Sequence, residues 1–437
     1  MTWPGRAVRV TAPRAAPLPV AVRALETDAE VAAFTRLAAA QFFEDRAPSL
    51  EATAARWRRF FEDAPHYRVE QWRGAFLEGR LVGGYVVEER TLRLGPARLR
   101  CGCIGAVVAD PAHRGRGVGR ALMRDSLAYA AARRQALLLL YGAPGYYPQF
   151  GYADVADVTE HDVERERIAE LGGAAPAGSG TRPATPADAP ALLDLYRRHH
   201  DAYRGSFERT LEDQRHLLRH RLLERPPLVA VDGDGRPQGY LMFAYGPWWR
   251  DPALAHEVAA DTWPATLALL RAHAARLAAQ PAPPAALRWQ APPGAAVVQH
   301  LGDHLPLVSR TAIRPGEGWE ARLVHLEALF EACAPHWAAA LEALGRRDGG
   351  GPHAVRIAVG AADGGPPEAT ATAGAAAGAP ALAVRLTRRL LATLLFGYRP
   401  ASWAAAHPEA SVPAAAVPLL EALFPAGTPW IAGSDAF

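Results

Sequence analysis

From Val20 onward, short apolar runs alternate with stripes of apolar residues at helical spacing. Thr27 or Asp28 can cap a helix whose apolar face carries Val31, Phe34, Leu37, Ala38 and Phe42, the three- and four-residue spacing of a buried stripe. A hairpin follows: Gly74-Ala75-Phe76-Leu77, a turn at Glu78-Gly79, then a β-branched strand from Arg80 to Val87. Ile104 to Ala109 is almost wholly apolar, as a strand covered on both faces must be. After an Arg/Gly loop, Val118, Leu122, Ser126 and Ala130 form one helical stripe with Leu127 beside it. Ala136 to Tyr141 reads as a second buried strand, and the pattern closes a mixed α/β unit near residue 155.

Leu171 to Gly180 is rich in Gly, Ala and Pro and reads as a linker. Beyond it the first unit is echoed. Ala75-Phe-Leu-Glu-Gly-Arg-Leu-Val-Gly-Gly-Tyr85 resembles Ala230-Val-Asp-Gly-Asp-Gly-Arg-Pro-Gln-Gly-Tyr240: strand, charged glycine turn, arginine, then a strand opening on Gly-Tyr. A helical stretch from Thr262 to Ala279 comes later with no Arg/Gly loop before it, so the expectation is a duplicated fold that kept its sheet and lost the loop. From Gly316 the character changes again, to an alanine-rich helix (Val324 to Leu344), short strands and a Gly/Pro tract. Thr387 to Gly397 reads as a capped helix with a wide leucine face. The last ten residues, Thr428 to Phe437, are apolar and aromatic, which suggests a docked terminus.

Composition narrows the chemistry. All 48 basic residues are arginine, and the 437 residues contain neither lysine nor asparagine. That excludes Schiff-base lysine enzymes, phosphate loops of the Gly-Lys-Ser type and N-glycosylation sequons. A net charge of +3, spread along the chain, is too small for a dedicated nucleic-acid binder. Three cysteines form no disulfide framework and fit a reduced cytoplasmic protein. Prolines 4, 13, 17 and 19 break up the arginine-bearing first residues, so residues 1–19 read as a flexible arm rather than a secretory signal. No stretch has the Leu/Ile/Val density of a membrane span.

The most informative segment is Val107-Val-Ala-Asp-Pro-Ala-His-Arg-Gly-Arg-Gly-Val-Gly-Arg-Ala-Leu122. It places Arg114-x-x-Gly117-x-Gly119 between a buried strand and a helix. Glycines let backbone wrap a phosphate, and the N–H groups and dipole of the helix start hold its charge. The spacing closely resembles the pyrophosphate-binding signature of the GNAT superfamily of N-acetyltransferases. That resemblance implies acetyl-CoA as cosubstrate, with backbone groups of Val107, Val108 and Ala109 on its pantetheine arm. Gly115, Arg116, Gly117, Val118, Gly119 and Arg120 would cradle the pyrophosphate, and Arg114 adds positive field. A basic Arg/Gly loop touching RNA is the other reading, but such tracts are usually repeated.

The second landmark is Tyr141-Gly-Ala-Pro-Gly-Tyr-Tyr-Pro-Gln-Phe-Gly-Tyr152. The Tyr-x-x-Phe-Gly-Tyr pattern from Tyr147 is common after the fifth strand of GNAT domains. A tyrosine there can protonate the departing thiolate, since its pKa near 10 keeps it protonated at neutral pH. Tyr146 and Tyr152 read as packing residues. With the layout after residue 20, the Leu386–Tyr398 helix and the ending Gly433-Ser-Asp-Ala-Phe437, the chain resembles the Eis-like (enhanced intracellular survival) acetyltransferases.

The fold expected is α/β (α+β): tandem GNAT-type mixed sheets with flanking helices, then a sterol-carrier-protein-like α+β domain. The expected units are a catalytic domain over 20–165, a GNAT-like domain without a cofactor loop over 181–315, and the third over 316–437. The resemblance implies Tyr147 as general acid and the α-carboxylate of Phe437 as general base, a primary amine on a small cationic acceptor, and a homo-oligomer, trimeric or hexameric. The family's Ser-Glu pair before the tyrosine is Gly142-Ala143 here, and its acidic penultimate residue is Ala436, which puts aminoglycoside specificity in doubt. Glu44 and Asp45 could offer charge to a cationic substrate, or form a solvated surface. His216 and His220 lack a third ligand at any known spacing, so no metal is expected. The alternative function is a hydrophobic-ligand or lipid carrier with a vestigial CoA site.

Overall fold

The computed structural model describes residues 20–43, 49–172, 179–243, 251, 253–312, 318–348, 353–360, 366–374 and 381–435. The first unit runs β1 (Ala21–Ala24), α1 (Asp28–Phe43), α2 (Leu50–Glu62), β2 (Trp72–Leu77), β3 (Arg80–Leu94), β4 (Ala97–Ala109), α3 (Val118–Ala132), β5 (Leu137–Tyr141) and β6 (Ala153–Ala156). Strands β1 to β5 lie side by side in chain order. Both faces are covered, which is why these strands read as apolar runs. On one face α1 and α2 bring Phe34, Trp57 and Phe61 against Trp72, with ring centroids 4.8–6.0 Å apart. On the other, Val118, Leu122 and Met123 of α3 pack on Val82, Tyr85 and Val87. The hydrophobic pattern above passes over α2, although Ser49 caps it and its apolar residues fall at helical spacing.

The second unit runs β7 (Val158–Glu164), α4 (Arg165–Glu170), β8 (Gly180–Pro183), α5 (Ala189–His200), α6 (Leu211–Glu224), β9 (Leu228–Val231), β10 (Pro237–Phe243), β11 (Leu254–Ala260), α7 (Trp263–Ala278), β12 (Ala286–Gln290), α8 (Ala296–Gly302) and β13 (Val308–Ala312). Its seven-stranded sheet has the order β13-β7-β12-β11-β10-β9-β8. The β9–β10 hairpin is the counterpart of β2–β3 that the repeated motif suggests. Only Asp261 and Thr262 join β11 to α7, whereas residues 110–117 join β4 to α3. The repeat therefore has no room for a glycine loop.

The third unit adds β14 (Trp319–Leu323), α9 (Leu326–Asp348), a small sheet of β15 (Ala354–Val359), β16 (Ala369–Gly374) and β17 (Leu382–Leu386), and α10 (Arg388–Leu395) capped by Thr387. Two strands cross the expected limits of the units. β7, inside the span 20–165, pairs with β12 and β13 of the second sheet. β14, inside the span 316–437, lies between β5 and β6 of the first. Each crossing strand hydrogen-bonds on both edges, so the units cannot separate without exposing ladder groups. A single apolar core extends from Leu92, Cys101 and Leu137 of the first sheet to Leu329, Trp337, Leu391 and Phe396 of the third unit.

β14 also buries a carboxyl. Glu320 lies opposite Leu140 and Asp154, is fully buried, and has no hydrogen-bond partner on either oxygen among the described residues. Burial, with Asp154 adding and Arg389 opposing, pushes it from its ordinary 4.5 up to about 8.

The apolar end of the chain is docked, as its composition suggests. Trp430 to Asp435 are buried. Arg209, 2% exposed, donates from Nε to Asp435 Oδ1 at 3.1 Å and from Nη2 to Oδ2 at 2.8 Å, and also binds Glu257 at 2.6 and 3.1 Å. Arg90 of β3 donates to Asp435 Oδ1 at 2.9 Å, and the hydroxyls of Ser434 and Tyr240 donate to Glu257. Burial opposes ionisation of Asp435, but Arg209 and Arg90 outweigh it and hold the carboxyl below its usual range. Arg209 also lies over the Tyr196 ring at 3.6 Å.

Arg209→Ala leaves Glu257 uncompensated and Asp435 with one arginine, and should lower unfolding free energy by about 3–5 kcal/mol in urea titration. For Glu320, ionisation is easier in the unfolded chain, so its penalty is absent below about pH 4.5 and grows to a few kcal/mol by about pH 8. The gain in urea midpoint of Glu320→Gln over wild type should therefore increase between pH 5 and pH 8 and then level off; a pH-independent difference would refute the raised ionisation.

Candidate active site

The central feature of the first sheet is a break in β4. Gly84 pairs with Val108 and Val86 with Gly105, so Ala106 and Val107 together oppose Tyr85. Ala106 takes the left-handed conformation at φ 50°, which costs a residue with a Cβ about 1 kcal/mol and marks a β-bulge. On its other edge β4 pairs with β5 only from Cys101–Leu137 to Cys103–Leu139. From Ile104 to Ala109 the strands have parted, which leaves backbone groups of β4 without a partner strand on that edge. Val107 and Ala109 pack toward α3 and Val108 toward α1, so the three predicted residues straddle the sheet.

The Arg/Gly loop follows this opening directly. Asp110 accepts from Ala112 N at 2.9 Å and turns the chain out of the sheet. Gly115 and Gly117 have φ of 78° and 85°, and a Cβ at either would meet nothing within 4 Å, so the loop faces open space. The first intrahelical bond of α3 runs from Ala121 N to Gly117 O, leaving the N–H groups of Val118, Gly119 and Arg120 without intrahelical acceptors. Arg114, Arg116 and Arg120 are exposed and form no ion pair among the described residues. Val118 is the exception in the predicted cradle, since its side chain is buried in the core. The loop offers glycine backbone, three free N–H groups and three arginines, a donor set that fits a pyrophosphate.

Next to the loop lies the tyrosine cluster. Tyr147 begins a 3₁₀ turn, its ring 5.0 Å from Tyr146 and 5.8 Å from Tyr152. The Tyr146 hydroxyl rests on the backbone of Gly119, where any Cβ would collide with it, so the cluster is seated on the first turn of α3. Tyr147 is 8% exposed. Burial, helped by Tyr146 and Glu320, raises its pKa well above the usual tyrosine value. Tyr147 therefore keeps its proton at neutral pH. Gly142 donates to Gly318 O at 2.8 Å, and Ala143 O accepts from Tyr146 N at 3.1 Å, so this pair shapes the turn into the tyrosines.

On the opposite face of the sheet, the end of α2, β3, α6 and the chain end enclose a cavity. Phe60, Tyr67, Val86 and Leu217 form its apolar walls, with Glu88, Arg90, Arg209 and Asp435 at its polar end. Burial pushes the Glu88 carboxyl up to about 7, although Arg90 pulls it down. These charged residues escaped the hydrophobic pattern, which ends the strand at Val87. The signal available was the run Glu88-Glu89-Arg90 continuing a strand. Glu44, Asp45, Ala436 and Phe437 lie outside the described residues. His216 and His220 pack around Phe60 at 4.9 and 5.2 Å, and no group of metal-ligating residues occurs among the described residues. No described helix is long and apolar enough to cross a membrane.

Comparison with known proteins agrees with this geometry. Residues 21–155 match the family model described as "Acetyltransferase (GNAT) domain". No curated protein matches the sequence. Among solved structures, the chain is similar to a GCN5-related N-acetyltransferase from Anabaena variabilis (17% identity, TM-score 0.68, 96% of this chain and 100% of that one). It is also similar to one from Kribbella flavida (18%, TM-score 0.66, 96% and 100%) and to Eis1 from Mycobacterium abscessus (17%, TM-score 0.60, 95% and 100%). At these identities the likeness shows a shared fold over nearly the whole chain. Residues 21–155 thus match a GNAT acetyltransferase domain, set within a fold that the solved N-acetyltransferase structures share over nearly the whole chain.

Proposed function

We propose that the protein transfers the acetyl group of acetyl-CoA to a primary amine of a small cationic acceptor. The observation that carries this reading is the conjunction, on one sheet, of parted strands, an open Arg/Gly loop and the buried proton donor Tyr147. The loop and the start of α3 would hold the pyrophosphate, and the unpaired edge of β4 would hold the pantetheine arm and polarise the thioester carbonyl. The loop follows the parted end of β4, and the cavity lies on the other face of the sheet beside Val86 and Glu88 of β3. Cosubstrate and acceptor would then meet across the sheet.

As the amine attacks, its N–C bond forms and the thioester C–S bond breaks. Tyr147 gives its proton to the leaving sulfur, and the α-carboxylate of Phe437 takes the proton released from nitrogen. The clasp on Asp435, two residues before Phe437, supports that role because it tethers the chain end at the acceptor cavity. A free α-carboxylate is a weak base, near 3.3–3.7, and gains strength as burial raises its pKa. The buried, unpaired cysteines fit the reduced cytoplasm.

The test is release of the CoA thiol with a panel of amines. Tyr147→Phe should lower kcat by about 10²–10⁴-fold and leave the KM for acetyl-CoA nearly unchanged. A chain lacking Phe437 should fall into the same range. Full activity without Phe437 would overturn the proposed base. Failure of the wild type with every amine, alongside tight lipid binding, would favour the carrier instead.

A further inference from the structure

Within the acceptor cavity, charge is unevenly matched. Asp435 is held by Arg90 and Arg209, and Glu257 by Arg209, Tyr240 and Ser434. Glu89 is engaged by Arg68 at 2.5 Å and by the Tyr129 hydroxyl at 3.0 Å, and Asp213 by the backbone and hydroxyl of Thr210. Glu88 differs from all of these. Its Oε1 is buried with no hydrogen-bond partner among the described residues, and its Oε2 lies 3.7 Å from Arg90 Nη1, beyond hydrogen-bond reach. Arg90 and Arg209 are matched in charge by Asp435 and Glu257, so an ionised Glu88 leaves the group one negative charge in excess.

A buried acceptor atom without a donor is costly in a native protein, and a ligand that supplies the donor recovers that cost. The missing group is a cationic N–H donor. Its position on the sheet says which one. Glu88 shares a sheet face with Val86 and lies three residues along β3 from Tyr85, where the bulge opens the cosubstrate side. At about 3.4 Å per residue that is about 10 Å, too far for the nitrogen being acylated. Apolar walls at Phe60, Phe61, Tyr67 and Leu217 suit a methylene chain spanning that distance.

We propose that Glu88 holds a second, non-reacting ammonium group of the acceptor, so that the enzyme selects amines carrying two cations separated by an apolar chain. This rests on the amine reading above. The test compares kcat/KM for α,ω-diamines of four to ten methylenes with n-alkylamines of the same lengths, in wild type, Glu88→Gln and Glu88→Asp. Wild type should prefer the best diamine over its matched monoamine by tenfold or more, and Glu88→Gln should bring that ratio close to one. Glu88→Asp should restore a preference, with its optimum at a longer diamine. A wild-type ratio near one, or a ratio that survives in Glu88→Gln, would overturn the assignment while leaving acetyl transfer standing. No transfer to any amine would overturn the amine reading and this one with it.

Discussion

Four charged side chains drawn from every part of the chain meet out of water: Arg90 of the first sheet, Arg209 and Glu257 of the second unit, and Asp435 near the chain end. Removing these charges from solvent is expensive, and only a nearly complete set of ion pairs and hydrogen bonds offsets the loss. Fork-like pairing from Arg209 to two carboxylates supplies it, with Tyr196 beneath the guanidinium. The arrangement specifies position more than it adds stability, because no partner can shift without stranding another charge. The place of Asp435, and with it the polar end of the cavity beside β3, depends on this cluster.

The exchanged strands act in the same direction. β14 wedges between β5 and β6, and Gly318 beside it accepts from Gly142, so the third unit helps to shape the turn leading to Tyr147. Tyr146 meanwhile rests on Gly119, which ties that turn to the start of α3. The Arg/Gly loop, the tyrosine turn and the third unit are thus tied together by direct contacts. The bulge at Ala106 bends β4 just where it leaves β5, in a sheet with apolar packing on both faces.

Much of this was legible locally. The β2–β3 hairpin, the Arg/Gly loop, α3, the echo at β9–β10 and the Thr387 cap all announce themselves within a dozen residues, because turn chemistry, periodicity and capping are short-range. Which sheet β7 and β14 would join was not legible. An apolar strand such as Trp319–Leu323 carries no mark of its partner, and pairing over more than a hundred residues depends on the whole core. The buried charges were hidden for a related reason. Glu88, Arg90, Arg209 and Glu320 read as solvent-facing by residue type, and only the tertiary fold reveals that partners or a cavity await most of them. Glu320 and Glu88 remain without full satisfaction, the kind of local inconsistency expected beside a working site.

The proposed base is the α-carboxylate of Phe437. The most direct measurement replaces that group alone: a semisynthetic protein ending in Phe437 carboxamide, isosteric with the native end and leaving the Asp435 clasp intact. Single-turnover transfer of the acetyl group should fall by about 10²–10⁴-fold while binding of acetyl-CoA persists. Transfer at the native rate from the carboxamide protein would contradict the account.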